Sequence, residues 1–141
     1  MINSIIEAIS VALNAEFGDD YTIYSEALEQ GLQEPCFFVF CMNPTSRPFL
    51  GKRYLRENQF CLQYFPADTG RVKAECNAVA ERLYLALEYI SVAGNLTRGT
   101  QMRCEVIDNV LNFFVNYDMF VYRPDDTPAM VELSENINLK G

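Results

Sequence analysis

Apolar residues recur every three or four positions at the start of the chain. Ile2, Ile5, Ile6, Ile9, Leu13 and Phe17 form one stripe, the spacing of a helix with a single buried face, and it predicts a helix over residues 3–17. Ser4 and Glu7 stand three apart, as in a capping box, and Gly18 falls where helices commonly stop. Tyr21–Ser25 is a short strand candidate, and the acidic stretch Glu26–Pro35, broken by Gly31 and Pro35, reads as a loop. Cys36–Met42 (CFFVFCM) is apolar at both alternating sets of positions, the pattern of a central strand covered on both sides.

Period-two alternation returns at Arg53–Phe65, where Phe60, Leu62 and Tyr64 share one face and Gln59, Cys61 and Gln63 the other. A second helix is predicted over residues 70–91, capped by Asp68 or Thr69. Its apolar face comprises Val72, Cys76, Val79, Leu83, Leu87 and Ile90, and Gly94 ends it. Gln101–Ile107 alternates with Met102, Cys104 and Val106 on one side. Asp108-Asn109 then suits a two-residue turn, since both residue types tolerate the left-handed backbone such hairpins require. Val110–Tyr122 is the clearest strand. Leu111, Phe113, Val115, Tyr117, Met119 and Val121 lie on one face, with Asn112, Phe114, Asn116, Asp118, Phe120 and Tyr122 on the other. From Pro124 the pattern fades, and 124–141 reads as an acidic, mobile tail. The order of elements predicts an α+β fold, a mostly antiparallel β-sheet with two α-helices packed on one face, forming a single domain over residues 1–123.

Composition narrows the chemistry. The chain holds 19 acidic and 11 basic side chains and no histidine, a net charge of −8. Lack of histidine excludes Ser-His-Asp and Cys-His nucleophiles and histidine-ligated zinc. The acidic balance argues against sequence-specific nucleic-acid binding, which normally uses a basic surface. The five cysteines are odd in number and irregularly spaced without a CxxC, so they read as reduced, buried thiols. No apolar run approaches the roughly 20 residues of a membrane-spanning helix. The opening MINSIIEAIS has no base and carries Glu7, unlike a signal peptide, so a cytosolic chain is expected.

Few motifs carry chemistry. GNLTRGT (94–100) resembles a phosphate-binding loop but lacks its lysine and lies between a predicted helix and strand, the reverse of the needed order. Asn95-Leu96-Thr97 matches a glycosylation acceptor by chance in a chain without a secretory signal. Glu75, Glu81 and Glu88, interleaved with Arg71, Lys73 and Arg82, read as a solvated helix face, since paired carboxylates do acid–base work only in a desolvated pocket. No catalytic residue, metal site or cofactor is expected.

The sharpest feature is electrostatic. Residues 1–46 carry seven acids and no base, and Arg47, Lys52, Arg53 and Arg56 then follow within ten positions. Pro44, Pro48 and Gly51 punctuate the segment, so 44–52 is predicted as a long hairpin loop. Phe49, Leu50 and Tyr54 add apolar anchors. Such a charge split suits head-to-tail assembly, in which the positive patch of one subunit meets the negative patch of its neighbour. Asn116 and Asp118, set among Phe114, Phe120 and Tyr122, form a second candidate protein interface.

Five stretches together resemble the phage tail terminator family of prophages in Gram-positive bacteria. They are YTIYSEALEQGLQEPCFFV, NPTSRPFLGKRYLRENQFCLQYFP, AERLYLALEYI, GNLTRGTQM and VLNFFVNYDMFV. The resemblance covers residues 3–123 and implies a non-enzymatic protein of the virion tail, assembled in the bacterial host cytoplasm. It implies a homo-hexameric ring at the head-proximal end of the tail tube that stops tube polymerisation and receives the head–tail connector protein. Its partners would be further copies of itself, the tail tube protein and the head–tail connector protein, with no membrane and no sequence-specific nucleic-acid binding, and the state of the free protein, monomer or ring, stays open. Two alternatives remain from the residues: another head–tail completion protein, and a small cytosolic enzyme or ligand-binding domain that uses carboxylates.

Overall fold

A computed structural model describes residues 1–26 and 32–123. Part of the predicted Glu26–Pro35 loop and the whole predicted acidic tail lie outside the described residues. The elements run α1 (Ile2–Phe17), β1 (Thr22–Tyr24), β2 (Cys36–Leu50), β3 (Arg53–Phe65), α2 (Val72–Ala86), β4 (Tyr89–Val92), β5 (Asn95–Arg98), β6 (Thr100–Ile107), β7 (Val110–Asn116) and β8 (Met119–Tyr122). The fold is α+β with a predominantly antiparallel sheet. The chain divides into two compact units, one of Met1–Pro44 with Glu57–Asp118, the other of Thr45–Arg56 with the chain from Met119 onward.

In the first unit the sheet order is β1–β2–β3–β7–β6. The β1–β2 pair is parallel, with Thr22 opposite Cys36. β3 pairs antiparallel with β7, placing Leu62 opposite Phe113, and β6 pairs antiparallel with β7 through Ile107 and Val110. Asp108 and Asn109 make that turn at φ 53° and 64°, as predicted. One sheet face holds the core: Phe37, Val39, Phe60, Leu62, Tyr64, Leu111, Phe113 and Val115 are buried. α1 covers it with Ile5, Ile9, Leu13 and Phe17, and α2 with Cys76, Val79 and Leu83. Phe17 meets Phe37 with ring centroids 5.0 Å apart, and Tyr84 of α2 meets Phe113 edge-on at 5.0 Å.

Several local expectations are corrected. α1 starts at Ile2 and has no side-chain cap, so Ser4 and Glu7 lie inside the helix and do not form a capping box. Gly18 does end it, its N–H donating to the Asn14 carbonyl. α2 likewise lacks a capping side chain from Asp68 or Thr69 and stops at Ala86, not 91. Tyr89–Val92 instead pairs with Asn95–Arg98 around a two-residue turn at Ala93-Gly94, with φ 50° and 84°. Ile90 and Val92 are buried and Tyr89 and Ser91 exposed, the alternation of a strand.

β2 is not covered on both sides. Cys36, Phe37 and Val39 are buried, but Phe38 and Phe40 are half-buried. Three of the five cysteines are buried, Cys36, Cys61 and Cys76, while Cys41 and Cys104 are half-buried, and all five are free. Burial pushes the Cys61 thiol up to about 11, which keeps it protonated and unreactive at neutral pH.

Candidate functional site

The predicted hairpin loop is a strand pair. β2 continues to Leu50, Gly51 and Lys52 make the turn, and β3 begins at Arg53. Proline is tolerated on a strand edge where the N–H it lacks would point outward. Pro44 and Pro48 are an even number of residues apart, so alternation puts both on the same edge of β2.

In the second unit β3 pairs with β8 in the register Arg53–Tyr122, Tyr54–Val121, Leu55–Phe120 and Arg56–Met119. The Arg123 N–H donates to the Lys52 carbonyl at 2.8 Å and extends the pairing. Alternation sorts the side chains into two faces. On one, Phe49 and Phe120 pack with centroids 4.9 Å apart, and the Arg53 guanidinium lies 4.5 Å from the Phe120 ring and 5.8 Å from Phe49. On the other, Arg123 lies 4.9 Å from the Tyr54 ring. Stacking a guanidinium on a ring leaves its N–H edges directed outward, where they can engage carboxylates.

Over its two faces this strand pair exposes large apolar side chains. Phe49 is 51% exposed, Leu50 68%, Phe120 48% and Tyr122 70%. Its charge is of one sign: Arg47, Lys52, Arg53, Arg56 and Arg123 stand with no Asp or Glu among the second unit's described residues. An exposed cluster of aromatic and arginine side chains has the composition of an interface centre. The structure thus gathers Arg47, Phe49, Leu50, Lys52, Arg53, Tyr54 and Arg56 on one strand pair and adds Phe120, Tyr122 and Arg123. Sequence reasoning left Arg123 out, because only the register brings it to Lys52.

Asn116 and Asp118 belong to the first unit and have partners there. Asn58 is fully buried. Its side-chain amide donates to the Tyr117 carbonyl at 3.1 Å, and its backbone N–H donates to Asp118 Oδ1 at 3.2 Å. Tyr117 N–H donates back to the Asn58 carbonyl. These bonds hold the break between β7 and β8, where the sequence predicts one continuous strand. The Asn116 carbonyl accepts from the Thr100 hydroxyl. Phe114 is 8% exposed under the Arg103 guanidinium, 4.0 Å from its ring. The predicted aromatic–polar strip is therefore divided, its exposed aromatics being Phe120 and Tyr122 of the second unit.

Burial raises the Asp118 carboxyl above its ordinary 3.8, opposed by the Asn58 N–H and assisted by Glu57. Between the ordinary and the raised value the folded state binds more protons than the unfolded state. Stability from this group is therefore greatest at low pH and falls as pH rises through the raised value. Asp118→Asn keeps an oxygen for the Asn58 N–H and removes the charge. The variant should melt at or above the wild type at pH 7, with the advantage shrinking as pH falls through the raised value toward the ordinary one. Melting curves by circular dichroism from pH 3.5 to 7 test this, and a pH-independent loss of stability would contradict it.

Other sites offer less. GNLTRGT forms β5, its flanking turn and the start of β6. Glu75 accepts a hydrogen bond from the Tyr64 hydroxyl, so it is a structural partner of the core. Among the described residues no helix is long and apolar enough to cross a membrane. No group of three metal-ligating side chains occurs among them either.

A family model described as phage tail terminator protein matches residues 4–129. No curated protein matches the chain. Twenty chains of solved structures match. One of them covers 85% of this chain and 98% of its own at 13% identity, with a TM-score of 0.40, too low a likeness to carry an argument.

Proposed function

We propose, because this chain belongs to the phage tail terminator family, that it forms a ring on the head-proximal end of the tail tube, stops tube growth and offers the surface to which the head connector attaches. The family makes it a phage tail assembly protein that works with other virion proteins. The ring, the tube end, the hexameric count and the prophage origin are our reading. The observation that carries it is the family match over nearly the whole chain. The exposed aromatic and basic side chains of β2, β3 and β8 support it, since a protein that acts by surface complementarity needs exposed anchors. A single domain over residues 1–123 remains part of this proposal.

The test mixes the protein with growing tail tubes and measures tube length and end structure by electron microscopy. Lengths should become fixed and ends capped. Lys52→Glu with Arg53→Glu should abolish capping while the circular dichroism spectrum stays that of the wild type. Tubes that grow to the same unregulated lengths with and without the wild-type protein would end the proposal.

A further inference from the structure

The two units differ in charge far more than the chain average suggests. The second carries five bases and no acid among its described residues, and the first carries fourteen carboxylates against five bases. Some of the first unit's acids are already engaged: Glu16 accepts from Arg82 at 2.9 Å, and Glu88 lies 3.9 Å from Arg98. A different group lines a groove beside α1. Asn3, Ile6, Glu7, Ser10, Ser25 and Glu26 surround a cavity of about 440 Å³. Those lining residues include two carboxylates, two hydroxyls, one amide and one aliphatic side chain, and no base. The Arg53 face of the second unit presents the complement: a guanidinium stacked on Phe49 and Phe120, with Tyr122 on the same face.

We infer that the cationic β2–β3–β8 surface of one copy docks in the α1 groove of a second copy, with Arg53 and its basic neighbours meeting Glu7 and Glu26. This rests on the assembly role proposed above and assigns the contact between copies. The two surfaces differ, so the contact is heterologous: each copy gives a hairpin to one neighbour and receives one from the other, an arrangement that closes a ring or propagates. Opposite charge speeds the encounter and excludes the hairpin-to-hairpin and groove-to-groove pairings.

The experiment uses the full chain without tubes. Sedimentation velocity across concentration and salt should show wild-type association that weakens as salt rises, because exposed charge pairs are screened. Lys52→Glu/Arg53→Glu and Glu7→Lys/Glu26→Lys should each lose about tenfold or more in association alone. Mixed in equal amounts, the two variants should regain it. Arg53→Gln, a milder change, replaces the hairpin variant if that one loses its circular dichroism spectrum. Wild type that stays monomeric at every concentration, a groove variant that associates like wild type, or a mixture that fails to regain association each overturns the inference. Tube capping is scored separately. Capping by a wild type that does not self-associate removes this contact and keeps the proposed function, while self-association without capping does the reverse.

Discussion

Phe37→Ala should lower stability by about 3–5 kcal/mol, the range for deleting a fully buried aromatic ring. Phe37 is 0% exposed and is the hub of an aromatic cluster. Its ring centroid lies 5.0 Å from Phe17, 5.8 Å from Tyr21 and 4.9 Å from Tyr64. Tyr64 in turn donates its hydroxyl to Glu75 of α2, and burial, reinforced by that carboxylate, pushes the phenol well above its ordinary value. The cluster thus ties α1, β2, β3 and α2 together. A domain of this size is stable by roughly 5–15 kcal/mol, so the loss is a large share of the whole. Urea unfolding followed by circular dichroism should show a much lower midpoint with an unchanged slope, the mark of altered stability alone. Phe37→Leu should cost less, about 1–2 kcal/mol, because most of the volume stays. A cost below about 1 kcal/mol for the alanine variant would mean that the cluster is not where the sheet and helices are joined.

The cluster was legible in part. Phe17 ends a stripe whose period needs no tertiary information, and four of its six residues, Ile5, Ile9, Leu13 and Phe17, are buried. Asp108-Asn109 was legible for a similar reason, since the residue types themselves favour the left-handed backbone. The end of α2 was not. Leu83, Leu87 and Ile90 are all buried and keep helical spacing, yet Ile90 belongs to a strand; three burial positions cannot separate the two periods over so short a run. Pro44 and Pro48 misled in another way. They mark breaks when only the local backbone is considered, but along a sheet edge the absent N–H costs nothing. Of the candidate site, the basic residues 47–56 stood out by charge. Arg123 did not, because its place beside Lys52 depends on a strand register spanning about seventy positions, which local pattern does not encode. The bonds of Asn58 to Tyr117 and Asp118 have the same origin, and they tie Asp118, which resembles part of an exposed strip, to a buried asparagine.

Gly99→Ala should cost about 3 kcal/mol, the upper end of the range for overpacking, although a methyl group is the smallest side chain that can be added. A Cβ there would meet the Leu87 carbonyl oxygen at 2.6 Å, Val115 Cγ2 at 2.8 Å and Tyr117 Cε1 at 3.1 Å. The first is backbone and cannot rotate away. It also accepts the Tyr117 hydroxyl at 2.6 Å, and the neighbouring Glu88 carbonyl accepts the Gly99 N–H at 2.7 Å. Shifting Leu87 to admit the methyl would strain both bonds where α2 ends and β4 begins. Burial raises the Tyr117 phenol, so it stays a neutral donor, and the bond it would lose lies away from water, where an unmade bond costs about 1–3 kcal/mol. Replacing glycine also removes freedom from the unfolded chain, a gain of about 0.4–1 kcal/mol that the clash must exceed. Tyr117→Phe separates the two contributions, since it deletes the bond without adding volume and should cost less than Gly99→Ala. Comparable costs in denaturant titrations would mean that the hydroxyl, and not the close approach of Gly99, holds this corner together. A neutral or stabilising Gly99→Ala would mean that the β4–β5 hairpin can move off the end of β7 to make room.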